Sequence, residues 1–148
     1  MSRSPHLRES PLVFCAILGS FDGVNSGISA VLGAAHVSTS ALLKLVICIA
    51  LGSAISMGGG EWCADNESGI KESLMMGSAT FAGMLLPVVP LLVLHAHHTL
   101  ALCCCFVLCV GYAALVARIR GHHWRHYLQS IGILLAVMGV VYGASRLV

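Results

Sequence analysis

Charged residues are scarce in this chain, and their scarcity decides its class. Only 9% of the 148 residues are Asp, Glu, Lys or Arg, whereas 57% are hydrophobic, and the mean hydropathy is +0.90. A soluble domain carries about 25% charged residues, so this chain cannot cover its own surface in water. The predicted class is an integral membrane protein. The net charge of +2 reflects Lys and Arg at the membrane surfaces, and no nucleic-acid partner is expected.

Enzyme motifs and strand patterns are also missing. The sequence contains no GxxxxGK[ST] phosphate loop, no GxSxG nucleophile elbow and no CxxC pair. A conventional enzyme is therefore not expected. The alternation of apolar and polar residues that marks a transmembrane β-strand is absent too, which argues against a barrel.

Five apolar stretches account for most of the length. Each is close to the ~20 residues that an α-helix needs to cross ~30 Å of hydrocarbon, and a helix satisfies its backbone polar groups in lipid. The first stretch is too long for the apolar core of a signal peptide and is read as a membrane span. The sequence predicts an all-α bundle of five transmembrane helices in one domain, 1–148, with helices at about 12–35, 41–63, 74–94, 99–117 and 127–145.

The distribution of Lys and Arg predicts a cytosolic N-terminus, because the cytosolic side of a membrane protein carries the excess of these residues. With this orientation the outer side holds only Lys44 and Arg146. The inner side holds Arg3, Arg8, Lys71, Arg118, Arg120 and Arg125.

Cysteine, histidine and proline are concentrated in a few places. The cysteines are predicted to pack like small apolar residues, and a soft-metal site in the run Cys103–Cys105 is the less favoured alternative. The clusters "HAHH" (95–98) and "HHWRH" (122–126) fit either metal ligands or interfacial anchors. Pro87 and Pro90 should break or kink the third helix, and the freed carbonyls should face protein or water.

A polar face runs along the first predicted helix. Asp22, Asn25, Ser26 and Ser29 share it, since residues three and four apart are neighbours on a helix. An ionisable group inside a span costs ~2.5–3.5 kcal/mol by insertion scales and usually marks a pathway. The alternative is a protonated, neutral Asp22 that is satisfied by a helix neighbour.

A ridge of small residues lies beside this face. Gly19, Gly23 and Gly27 form a doubled GxxxG pattern, which lets two helix backbones approach closely. The partner of the ridge would be another helix of the chain or the same helix of a second copy.

The second predicted helix carries a similar stripe of Ser53, Met57, Glu61 and Asp65 at four-residue spacing. Carboxylates suit hard ions and a thioether suits softer ones, so the mixture favours a borderline metal such as Fe²⁺. Met57 as a core residue and Glu61 as an interfacial carboxylate are the alternatives. The run Gly58–Gly60 would allow close approach or local unwinding beside the site.

These segments resemble the vacuolar iron transporter family. The stretch "FDGVNSGISAVLGAA" (21–35) is similar to its first-helix motif, "ALGSAISMGGGEW" (50–62) to its second-helix signature, and "FAGMLLPVVPLLVL" (81–94) to its third helix. The chain would be a short member, because only "ADNESGIKES" separates the second and third helices, where many members carry a cytosolic metal-binding domain.

The resemblance implies a homodimer that moves Fe²⁺, and also Mn²⁺, out of the cytosol in exchange for protons. Asp22, Met57 and Glu61 would be the intramembrane metal and proton groups, and no permanently bound cofactor is expected. Asn25, Ser26, Ser29 and Ser53 would line the pathway. Asp65, Glu67 and Glu72 could form an acidic cytosolic entrance, or a solvated loop.

Two functions remain open at this point. The first is a proton-coupled exporter of a divalent transition metal in a bacterial plasma membrane or a vacuolar membrane. The alternative is a membrane protein that binds metal or a partner through the same helices without transporting anything. A polar stripe that is continuous along both of the first two helices favours transport.

Overall fold

The structure of the protein is a computed structural model, and it describes residues 11–33, 37–64, 69–94, 98–119 and 124–145. All regular elements in these ranges are helical. They are α1 (Pro11–Gly33), α2 (Thr39–Ala64), α3 (Ile70–Leu85), a 3-10 turn (Leu86–Val88), α4 (Val89–Val93), α5 (His98–Ile119) and α6 (Trp124–Ser145).

The prediction of an all-α bundle with five transmembrane helices is confirmed. Among the described residues, five helical segments are long and apolar enough to cross a membrane, with α3, the 3-10 turn and α4 together forming the third. This third segment begins at Ile70 rather than at the predicted residue 74. The earlier start fits the position of Glu72 in the first turn, because a carboxylate is favoured at the N-terminus of a helix.

The closest helix contact joins α1 to α3, and it explains the glycine ridge of α1. A Cβ atom at Gly23 would collide with the backbone of Thr80, and Gly19 and Gly27 lie equally close to the backbones of Met76 and Met84. Only glycine permits such close backbone contact. The ridge therefore packs against a helix of the same chain, which decides between the two partners that the sequence allowed.

The third span is interrupted where its prolines stand, as predicted. It passes from α-helix to a 3-10 turn at Leu86–Val88 and back to α-helix at Val89. The carbonyl of Pro87 accepts a hydrogen bond from the thiol of Cys105, with 2.8 Å between Sγ and O. Pro87 and Pro90 offer no N–H groups to preceding carbonyls, and this thiol on α5 supplies a donor from another helix at the break. The kink thus faces protein.

The interior consists of two apolar clusters beside the α1–α3 contact. The first joins the N-terminal half of α2 to α5 and the proline break, and includes Val46, Met84 and Ala101. The second joins α1, α5 and α6 around Ile28, Ala113 and Leu134. The burial is uneven: half of the α3 span is buried, but only 17% of the α2 span and 11% of the α6 span. One long side of α2 and most of α6 therefore face the surroundings of the chain.

Candidate functional site

Asp22 lies in an open polar groove on α1. The groove has a volume of about 450 Å³, and the α1 residues Asp22, Asn25, Ser26 and Ser29 line it. Ile49 of α2 and Val137 of α6 form its walls. All four polar residues are partly exposed. The predicted polar face of α1 is thus a single continuous surface, and it opens between two apolar helices.

The groove leaves one of its polar atoms without a partner. The side-chain oxygen of Asn25 is buried and makes no hydrogen bond within the described part of the chain. A buried acceptor without a donor costs about 1–3 kcal/mol. Ser29 differs, because its hydroxyl donates to the backbone carbonyl of Asn25 at 2.7 Å. The Asn25 amide is therefore the group in this groove that gains most from a bound polar species.

Glu61 does not lie in this groove but faces Cys15. The Cys15 thiol donates a hydrogen bond to the Glu61 carboxylate, with 3.8 Å between Sγ and Oε1. Cys15 is 1% exposed. The first two helices thus bring a thiol and a carboxylate together at the end of the bundle where α1 begins and α2 ends.

The Cys15–Glu61 contact and the Asp22 groove lie on one line along α1. Cys15 precedes Asp22 by seven residues, which is two helical turns, or ~10 Å along the axis. Two turns bring a side chain back to nearly the same direction. The polar face of α1 therefore extends from Cys15, near the start of the span, to Ser29, near its end.

The other members of the α2 stripe are partly buried. Ser53 and Met57 precede Glu61 by two turns and one turn, so they share the side of α2 that carries Glu61. Neither of them lines the Asp22 groove. Within the described residues, His, Cys, Asp and Glu form no group of three or more that could hold a metal ion. Within one chain, Asp22 and Glu61 lie on the same side of α1 but at different levels along its axis.

Several predicted residues lie outside the described part of the chain. Asp65 and Glu67, from the acidic entrance, are among them, as are the histidines 95, 97, 122 and 123. Glu72 is described, and its carboxylate lies over Gly69 at the start of α3.

All seven cysteines are described, and all are free thiols. Cys15, Cys105 and Cys109 are buried, as expected of packing residues, whereas Cys48, Cys63 and Cys103 are exposed on the surface of the bundle. The run Cys103–Cys105 spreads its side chains from exposed to buried, as three consecutive helical residues must.

Two polar contacts of the site region were not anticipated from the sequence. The sequence predicts Cys15 as a packing residue, although its spacing of two turns from Asp22 is a signal that places it on the polar face. Tyr112 of α5 donates a hydrogen bond to the Ser20 hydroxyl of α1, which itself donates to the carbonyl of Ala16 at 2.5 Å. No sequence pattern links Tyr112 to Ser20, because the contact depends on how α5 sits against α1.

Comparison with protein-family models, with curated proteins and with solved structures finds no match to this chain. The likeness to vacuolar iron transporters accordingly remains a resemblance of motifs.

Proposed function

We propose that the chain binds a divalent transition metal, with Fe²⁺ first and Mn²⁺ second, within the membrane and exchanges it for protons. The observation that carries the proposal is the Asp22 carboxylate in an open polar groove inside the first span. A membrane protein rarely places a carboxylate in a span without a pathway or a partner for it. The unpartnered oxygen of Asn25 in the same groove adds a second acceptor for a cation.

The contact between Cys15 and Glu61 supports a second metal-binding position on the same path. A carboxylate and a thiol together suit a borderline metal better than Mg²⁺ or Ca²⁺. The thiolate is the form of cysteine that binds a metal, so metal binding by Cys15 would release the thiol proton. A cation that passes from Glu61 to Asp22 would move ~10 Å along α1, and the polar face of α1 provides the surface for this step.

The proposal includes a homodimer, in which a second copy supplies further ligands at the open side of the Asp22 groove. The glycine ridge does not argue for this dimer, because α3 of the same chain occupies it. The support comes from α2 and α6, which flank the groove and leave most of their surface uncovered. We further propose membership in the vacuolar iron transporter family, and export from the cytosol as the direction of transport.

The test is Fe²⁺ flux into proteoliposomes with an imposed pH gradient. Wild type should show a flux that depends on the gradient, and Asp22→Asn and Glu61→Gln should each abolish it. Glu9→Gln, a matched carboxylate-to-amide change ahead of α1, should retain the flux. All variants are checked for helix content and for elution as a single species in detergent.

The alternative is a membrane protein that binds metal or a partner without moving an ion. The observation in its favour is that a single chain, over its described residues, assembles no three-ligand metal group. Folded wild type that binds Fe²⁺ in equilibrium dialysis, yet shows no flux under any gradient, would replace the transporter by this alternative.

A further inference from the structure

An apolar groove separate from the Asp22 site runs between α2 and α3. Its volume is about 530 Å³. Leu51, Ile55 and Trp62 of α2 line it on one side, and Ile70, Leu74 and Phe81 of α3 line it on the other. Its floor is bare backbone, because Gly58 and Gly77 face each other there so closely that a Cβ atom at either position would lie 2.7 Å from a backbone oxygen of the other helix.

The length of the groove matches one leaflet of a bilayer. It extends from Trp62 to Leu51 on α2 and from Ile70 to Phe81 on α3. Eleven residues of helix correspond to ~16 Å, and half of the hydrocarbon core measures ~15 Å. One end of the groove lies where α2 ends and α3 begins, and the other lies near the middle of both candidate membrane spans.

The end at the membrane surface has a polar character that the rest of the groove lacks. Ser73 lines the groove there and is 6% exposed, and its hydroxyl makes no hydrogen bond within the described residues. The indole of Trp62 lies at the same end, and tryptophan is enriched at the level of the headgroups. Lys71, two residues before Ser73, is exposed at this end, and its positive charge could pair with a lipid phosphate.

We propose that this groove binds one acyl chain of a glycerophospholipid, and that the Ser73 hydroxyl donates a hydrogen bond to the ester carbonyl of that chain. The ester carbonyl of a phospholipid lies at the boundary between headgroups and hydrocarbon, which is the depth of Ser73. The Ser73 hydroxyl is buried in the structure, so this hydrogen bond requires a change to another staggered rotamer about the Cα–Cβ bond. None of the proposed metal-binding residues Asp22, Met57 and Glu61 lines this groove.

Neighbouring residues provide matched pairs of variants for a test. A side chain at Gly59 would enter the groove, whereas one at Gly60 would not, and neither position has an atom within 4 Å of a new Cβ. Ser73 and Ser78 both line the groove, but the Ser78 hydroxyl already donates to the carbonyl of Met75 at 3.1 Å. Gly59→Leu and Ser73→Ala are therefore the test variants, with Gly60→Leu and Ser78→Ala as their controls.

The experiment is native mass spectrometry of the full chain in detergent, titrated with dioleoyl phosphatidylcholine and with its di-O-alkyl analogue, which lacks the ester carbonyls. Wild type should retain one ester lipid per chain and bind the ether lipid about two- to tenfold more weakly, the factor expected for one net hydrogen bond. Ser73→Ala should bind both lipids with the affinity that wild type has for the ether lipid. Gly59→Leu should lose the bound lipid, and both controls should behave as wild type.

Three outcomes would overturn the proposal. The first is equal binding of ester and ether lipids by wild type. The second is equal loss of lipid in Gly59→Leu and Gly60→Leu, with helix content and thermal midpoint unchanged in both. The third is a wild-type dimer without bound lipid that Gly59→Leu converts to a monomer, because a second copy would then occupy the groove.

Discussion

The Cys15 thiol of α1 donates a hydrogen bond to the Glu61 carboxylate of α2 across 3.8 Å, although the two residues are 46 positions apart in the sequence. This contact ties the start of the first span to the end of the second. It also places a soft ligand atom beside the carboxylate that we propose as a metal ligand.

Cys15→Ser should change which metals compete with Fe²⁺ at the proposed metal-binding position of Cys15 and Glu61. A hydroxyl in place of the thiol keeps a polar group beside Glu61 but removes the soft ligand. Competition of Cd²⁺ with Fe²⁺, measured by equilibrium dialysis, should weaken about tenfold, within the range found when a group that supports a metal ligand is changed. Cys48→Ser, at an exposed thiol of α2, is the control. Unchanged Cd²⁺ competition in Cys15→Ser would show that the thiol only packs.

Gly23→Ala should destabilise the bundle. The added methyl group would meet the backbone of Thr80, which cannot move aside as a flexible side chain can. Overpacking of this kind costs about 1–3 kcal/mol, measured as the shift in unfolding free energy during titration with a denaturing detergent. Gly139→Ala, where a Cβ has open space, should leave the stability unchanged or slightly raised. Equal stabilities of the two variants would contradict the close α1–α3 contact.

Cys105→Ala should cost more stability than Cys105→Ser. Alanine removes the thiol that donates to the carbonyl of Pro87, and one intramolecular hydrogen bond contributes about 0.5–1.5 kcal/mol to stability. Serine retains a donor at the same position. The same detergent titration measures both variants, and Cys103→Ala, at an exposed thiol of the same helix, should be neutral. If Cys105→Ser and Cys105→Ala had the same free energy of unfolding, the hydrogen bond to Pro87 would not contribute to stability.

Cys63 should react with a membrane-impermeant maleimide, because its thiol is exposed at the end of the second span. The predicted cytosolic N-terminus places this end of α2 on the cytosolic side. Labelling is therefore expected in inverted vesicles and absent in right-side-out vesicles, and Cys63→Ala should remove it. Labelling confined to right-side-out vesicles would reverse the predicted orientation.

The local sequence pattern was sufficient to predict which segments of the chain form membrane-spanning helices. Length and hydropathy identify a membrane helix without reference to its neighbours, so the five spans were predicted to within a few residues. The break at Pro87 and Pro90 also follows from covalent structure, since proline lacks an N–H group. The polar face of α1 follows from helical periodicity alone, and the structure places Asp22, Asn25, Ser26 and Ser29 together in one groove.

Only the tertiary structure determined which helix faces pack against one another. The glycine ridge of α1 could have packed against any helix with a smooth surface, and only the arrangement of the bundle directs it to α3. The thiols that donate to Glu61 and to Pro87, Cys15 and Cys105, lie among apolar residues in the sequence. These contacts depend on the orientation of α1 and α5 in the folded chain. The amino-acid sequence thus determined where helices form and which of their faces are polar, because those properties depend on neighbours along one helix. The pairing of helices, and with it the grooves between them, depends on side chains distant in sequence and required the folded chain.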